Sequence, residues 1–370
     1  MIFEGSEKVP NSSRKTLRSI SDYLIAIITF IALNVVVFHT ELYHHVSLVN
    51  SYAGNVYGRM SVLKEVEKKR GAKVIALVGD SVTEDGLGAR EISQNIGKPV
   101  VNLALPGASP NEWLYFLRSI DPKRNRFDAI VLTIAPHNMR QRPHEDGVQT
   151  LMPVASLGLM LRYAWEFHDP AEKFEHGYAT FDRIFGYRKD LAHLFMSPGR
   201  LLTAREDKKN QISKLKNWPG ETFNVCRTII DSETKEVVRW GAIRDREVRR
   251  LSENALNRTF ELNRRAVVSG ILEPLTEIIN YYNNSTTNIV IISIPFGLYH
   301  EIRQRAPAMR DYFWSIEEFD RRPHVYHING IHEPLFKDCQ NFYDFRHLNS
   351  RGRKLLSDFL SEELKTLLKN

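Results

Sequence analysis

Two short groups of polar residues, far apart in the chain, are of the types that acyl-transfer chemistry needs. Gly79-Asp80-Ser81 closes an apolar run that begins at Val74, and Asp344-Phe345-Arg346-His347 precedes the last amphipathic stretch. A serine hydroxyl is a poor nucleophile until a base takes its proton and something stabilises the oxyanion it creates. Asp344 and His347 stand three apart, a spacing that brings side chains together on one helical turn. A carboxylate bonded to the imidazole fixes its tautomer and stabilises the imidazolium formed when His347 takes the Ser81 proton. Gly107 and Asn138 each follow a further apolar run and complete the set of candidates.

These residues act together only if the fold gathers them. Val74–Val78 has no polar alternation, which reads as a strand buried on both faces, the parallel-sheet kind. Further strands are expected at Pro99–Ala104, Asp128–Ile134 and Asn288–Ile294, with a weaker one at His324–Ile328. Helices are expected at Ala89–Asn95, Asn111–Ile120, Arg244 to about Tyr282, and Ser350 to Leu368. Strands alternating with helices through short connections predict a five-stranded, doubly wound parallel sheet. In such a sheet the carboxyl ends of all strands open on one edge. Ser81, Gly107 and Asn138 each lie just past a strand end, so that edge is where they converge. Residues from about 140 to 243 mix aromatics and charges and read as an inserted, mostly helical cap.

The chain has 370 residues, 42% of them hydrophobic, enough for a large core. Its net charge of +7 is spread over short runs interleaved with acids, and no nucleic-acid module is present. Cys226 and Cys339 are either one disulfide or two buried thiols. His324, His327 and His332 have neither a zincin motif nor a paired-carboxylate spacing, so no metal and no cofactor is expected.

From Tyr23 to Phe38 the chain carries no charge, a run of about 16 residues, just under the usual span. It is apolar all round and no small-residue cleavage site follows, which favours an uncleaved anchor over a signal peptide or a core helix. Lys8, Arg14, Lys15 and Arg18 precede it, and no Lys or Arg follows until Arg59. The positive-inside rule then leaves residues 1–22 in the cytoplasm and 23–39 in the inner or plasma membrane, single-pass. Residues 40–73 read as a stalk and 74–370 as a periplasmic or extracytoplasmic domain.

The order and placement of these blocks resemble the SGNH (GDSL-like) hydrolase superfamily. Its marks are Gly-Asp-Ser, a Gly after strand two, an Asn after strand three, and Asp-x-x-His near the carboxyl terminus. The resemblance covers 74–140 and 286–370. It implies a three-layer α/β/α sandwich on a five-stranded parallel flavodoxin-like sheet, with the helical insertion outside it. By the same resemblance Ser81 is the nucleophile, His347 the general base and Asp344 the acid that orients it. The backbone N–H groups of Ser81 and Gly107 and the side-chain amide of Asn138 become the oxyanion donors. The first block reads Gly-Asp-Ser-Val rather than Gly-Asp-Ser-Leu. The third reads Ala-Pro-His-Asn rather than Gly-x-Asn-Asp, so Asn138 lacks the Asp that usually follows it.

A membrane helix ahead of such a domain is similar to the proteins of alginate O-acetylation and lipoteichoic-acid D-alanylation, which work with a multispanning membrane-bound O-acyltransferase. Asn102-Leu-Ala-Leu-Pro-Gly-Ala-Ser109 also resembles that branch. The expected function is therefore a serine esterase or O-acyltransferase acting on an acyl ester, an acetyl ester first among them, of a cell-envelope or secreted polysaccharide. The partners this implies are the membrane, an acylated glycan and a membrane-bound O-acyltransferase. Two other functions compete: a catalytically inactive scaffold of a polysaccharide complex, and a cytoplasmic lipase or phosphoesterase whose apolar run is a core helix.

Overall fold

A computed structural model describes residues 11–38, 43–44, 47, 51–71, 73–135, 147–166, 169–196, 199–222, 229–230, 237–238, 271–294, 314–331, 333–343 and 347–368. The chain opens with α1 (Asn11–Phe38), a 28-residue helix that contains the uncharged run. Among the described residues, no helix is long and apolar enough to cross a membrane. Tyr23, Leu24, Ile25, Ile27, Ile28, Phe30 and Ile31 are nonetheless exposed along α1.

The stalk segment carries α2 (Tyr52–Arg70), which begins where Ser51 Oγ accepts from the Gly54 N–H at 3.0 Å and stops at left-handed Gly71. Ala53, Val56 and Leu63 share a helical face and are fully buried in the core, and Arg59 is buried beside them.

The apolar run then becomes β1 (Val74–Val78), followed by α3 (Ser81–Gly86), α4 (Ala89–Ile96), β2 (Val100–Asn102), α5 (Pro110–Ile120) and β3 (Phe127–Ile134). The cap is helical where described: α6 (Gly147–Leu151), α7 (Leu157–Trp165), α8 (Pro170–Phe181), α9 (Arg183–Gly186), α10 (Arg188–Met196) and α11 (Gly199–Asn217). A two-residue antiparallel pair follows, β4 (Ile229–Ile230) with β5 (Val237–Val238). Next come α12 (Glu273–Tyr282), β6 (Asn288–Ser293), β7 (Val325–Asn329) and α13 (Ser350–Leu367). The long helix expected from Arg244 is helical from Glu273; its part before residue 271 lies outside the described residues.

The five long strands form one all-parallel sheet in the order β2-β1-β3-β6-β7. Its strands are apolar on both sides because both faces are covered. Val74, Ala76 and Val78 of β1 point into one cluster with Trp113 and Phe116 of α5 and Leu275 and Ile278 of α12. Ile75 and Leu77 point into the other, with Ile92 of α4 and Leu356, Leu360 and Leu364 of α13. Strand periodicity of two thus divides one continuous run between two helical layers. The cap is built into the first of these clusters through Leu151, Met160, Tyr163 and Tyr187.

Candidate active site

The β1–β2 ladder continues past both strands. The Leu103 N–H donates to the Leu77 carbonyl and the Leu105 N–H to the Gly79 carbonyl, each at 2.8 Å. That register carries the two loops out side by side, Ser81 two residues beyond Gly79 and Gly107 two beyond Leu105. Leu105-Pro106-Gly107-Ala108 closes on itself, the Ala108 N–H reaching the Leu105 carbonyl at 2.9 Å. Proline second and a glycine at φ 79° third is the chemistry of a type II turn, and it leaves Gly107 exposed at the edge.

Ser81 is the first residue of α3. Asp80 caps the helix, its Oδ1 accepting the Val82 N–H at 2.9 Å. The strand-to-helix transition needs Gly79: a Cβ there would lie 1.8 Å from Thr83 Oγ1, and Thr83 is fully buried.

His347, 266 positions away, meets the serine. Its Nε2 lies 2.9 Å from Ser81 Oγ. The imidazole accepts the hydroxyl proton when its own proton is on Nδ1. His347 is half-buried on the loop that enters α13, and that loop is pinned by Asn349. Asn349 Oδ1 accepts the N–H groups of Arg351 and Gly352 at 3.1 Å, while its Nδ2 donates to the carbonyls of Gln340 at 2.7 Å and Phe342 at 3.3 Å. The Tyr343 N–H closes the loop on the His347 carbonyl at 3.1 Å. Asn349→Ala removes the helix cap and the tie to residues 340–342 together, so turnover is expected to fall on the order of 10²-fold through a misplaced imidazole. Kinetics beside a thermal melt check this: loss of activity at a temperature where the variant is still folded is the expected result.

Two residues not singled out in the sequence lie behind the imidazole. The Tyr343 ring stacks on His347 at 5.6 Å between centroids and 12° between planes. Its hydroxyl donates to Asp85 Oδ2 at 2.7 Å. Asp85 is buried, and burial pushes its carboxyl from 3.8 up to about 6, against the lowering effects of the Tyr343 hydrogen bond and the His347 charge. Its position four residues after Ser81 on α3 was the one available signal, since i and i+4 share a helix face.

The sign of the Asp85 contribution follows from that shift. Between about pH 4 and 6 the folded chain holds the proton more tightly than the unfolded chain, so raising the pH through 6 costs native stability. Asp85→Asn keeps the acceptor for Tyr343 and removes the cost of ionisation. Denaturant midpoints measured from pH 5 to 8 should show the variant gaining on wild type as pH rises, by ~1.5 kcal/mol, and levelling off above about pH 7.

Asp344, Asn138, His137, His144, His332 and Cys226 lie outside the described residues. His327 is engaged elsewhere, its Nε2 lying 2.9 Å from Ser293 Oγ across β6 and β7; burial lowers its pKa. A cavity of about 280 Å³ sits on the flank of α3, between α2, α11 and the start of α13, lined by Arg59, Glu84, Asn102, Lys214, Trp218 and Arg353 among others. Neither Ser81 nor His347 lines it. Arg59 and Glu84 are paired there at 2.7 Å, and Arg353 Nη1 donates to the Glu84 carbonyl at 2.9 Å, which ties the carboxyl end of α3 to α13.

The arrangement supplies a hydroxyl at a helix start, a base in contact with it, and a glycine turn beside it at the open edge of a parallel sheet. No protein-family model, no curated protein and no solved structure matches the chain.

Proposed function

We propose that the protein is a membrane-anchored serine esterase or O-acyltransferase of the SGNH type, acting on an acyl ester of a cell-envelope or secreted polysaccharide. The observation that carries the reading is the 2.9 Å contact between Ser81 Oγ and His347 Nε2 across 266 residues. The strand order supports it too, since the sheet strands taken in chain order run 2-1-3-4-5, the flavodoxin-like arrangement that places ligands at the strands' carboxyl ends.

In this reading His347 Nε2 takes the Ser81 proton as Oγ bonds to the ester carbonyl carbon and the carbonyl π pair moves onto oxygen. The Ser81 and Gly107 N–H groups, with the Asn138 amide, receive that oxyanion. Collapse expels the alcohol, which takes the proton back from His347 and leaves an acyl-serine. Water or a sugar hydroxyl, deprotonated in its turn by His347, then releases the acyl group. Asp344 is the carboxylate assigned to the imidazole, with Asp85 adding negative charge behind Tyr343.

α1 is read as the anchor. Asn34 and Phe38 at the end of its uncharged run are held by the domain, so residues 23–33, ~16 Å of helix, are what enters lipid; this is well short of the ~30 Å hydrocarbon core, so the bilayer thins around α1 and the domain sits against the membrane surface. The cytoplasmic N-terminus, the extracytoplasmic domain and a membrane-bound O-acyltransferase partner belong to the same proposal. The protein reconstituted in lipid, given an acetyl ester and an oligosaccharide acceptor, is expected to release acetate or acetylate the sugar. Failure to turn over any acyl ester or glycan while correctly folded would leave the scaffold reading in its place. Alkaline carbonate washing of native membranes checks the anchor: the chain is expected to stay in the pellet.

A further inference from the structure

Large apolar side chains lie exposed on three cap helices, α7, α8 and α10. On α8, Phe174, Tyr178 and Phe181 follow one another at helical spacing along the outer face, while His176, Ala179 and Thr180 are buried beneath them. Phe174 is 77% exposed and Trp165, at the end of α7, 74%. Phe195 and Met196 end α10 at 78% and 73%. Scattered exposed apolar residues need no explanation, but a row of aromatics on one helix face marks a surface that meets something.

The same region receives α1. Asn34 Nδ2 donates to Asp182 Oδ1 at 3.2 Å, immediately after Phe181 in the chain. Phe38 stacks on Tyr187 with ring centroids 5.4 Å apart, and the Tyr43 hydroxyl reaches Asp190, in the first turn of α10, at 3.5 Å. α1 therefore leaves the domain from beside this aromatic face, and its own exposed apolar residues continue it.

We propose that the face formed by α8 and the ends of α7 and α10 rests in the lipid headgroup boundary, a second membrane contact beside α1. The inference rests on the reading of α1 as membrane-inserted, because the surface from which an inserted helix emerges faces the bilayer. Its chemistry suits that boundary: Trp and Tyr bring an apolar body and a polar edge, and Phe adds buried apolar area. The charges around it are mixed. Lys173 Nζ sits 5.0 Å over the Trp165 ring, Arg188 pairs with Glu175, and Glu172 and Asp182 add acid. The attraction is therefore apolar and independent of anionic lipid. Seating α8 this way holds the domain at a fixed height and tilt rather than swinging on a tether.

Full-length protein is reconstituted into phosphatidylcholine vesicles whose acyl chains are brominated close to the headgroup. Trp165 emission is taken as the difference between wild type and Trp165→Phe. The proposal expects Trp165 to lose about half its emission or more to the bromines, with the quenching largely gone in Phe174→Ser/Phe181→Ser. Both phenylalanines are exposed, so the variant keeps its fold, and circular dichroism verifies this. Unquenched Trp165 in protein that floats with the vesicles and resists carbonate overturns the second contact, leaves the anchor standing and assigns the face to a protein partner. Protein that does not float at all overturns the anchor and this proposal with it.

Discussion

Ser81→Ala is expected to lower acyl-ester turnover by on the order of 10⁴–10⁶ while leaving the fold unchanged, and His347→Ala to do the same. The fold survives because Asp80, not Ser81, caps α3, and alanine is a strong helix former at the first helical position. The catalytic loss is large because the substitution removes the hydroxyl that His347 Nε2 meets at 2.9 Å. The two substitutions remove parts of one unit, so the double variant is expected to be barely slower than either single one. Equal turnover in wild type and Ser81→Ala would remove the acyl-serine from the account. A double variant as slow as the product of the single effects would mean that the two residues act separately.

Gly79→Ala is the second large effect, and it acts through structure. The added Cβ meets Thr83 Oγ1 at 1.8 Å and Thr83 Cβ at 2.7 Å, and Thr83 has no room to turn because it is wholly buried. Relief requires α3 to move off β1, which carries Ser81 with it. A cost of about 2–4 kcal/mol in stability is expected, and a shift of ~1 Å at Ser81 costs about 10²-fold in turnover besides. Urea midpoints and turnover measured together separate the two losses. Adding Thr83→Ala removes the closest of those contacts, so the pair should recover part of both; strict additivity would show that the steric account is wrong.

The sheet was legible because its signal is local. Val74–Val78, Phe127–Ile134 and Asn288–Ser293 are each built on a short apolar run (VIALV, AIVL, IVII) that admits few other readings, and each was expected within a residue or two of where it lies. The approach of His347 to Ser81 was legible for a related reason: a parallel sheet sends the ends of its strands to one edge however far apart they are in sequence. Asp85, Tyr343 and Asn349 were not, because their roles come from neighbours supplied by tertiary packing. Asp85 reads as an ordinary solvated acid until Tyr343 is folded over it.

The helix expected in the stalk is present as α2, but its packing was not legible for the opposite cause. Its mixed, weakly amphipathic composition and its charged end resemble a spacer, yet Arg59 is buried against Glu84 and carries its charge inside. In the cap, α7, α8 and α10 keep large apolar residues outside, so their faces do not sort into an inner apolar side and an outer polar one.

The most direct measurement is labelling of the full-length protein with a fluorophosphonate, followed by mass spectrometry of the modified peptide. The account predicts one adduct, on the Ser81 oxygen, lost in His347→Gln and kept in Asn349→Gln at a slower rate. A folded protein that takes no adduct, or one labelled equally with and without His347, would contradict it.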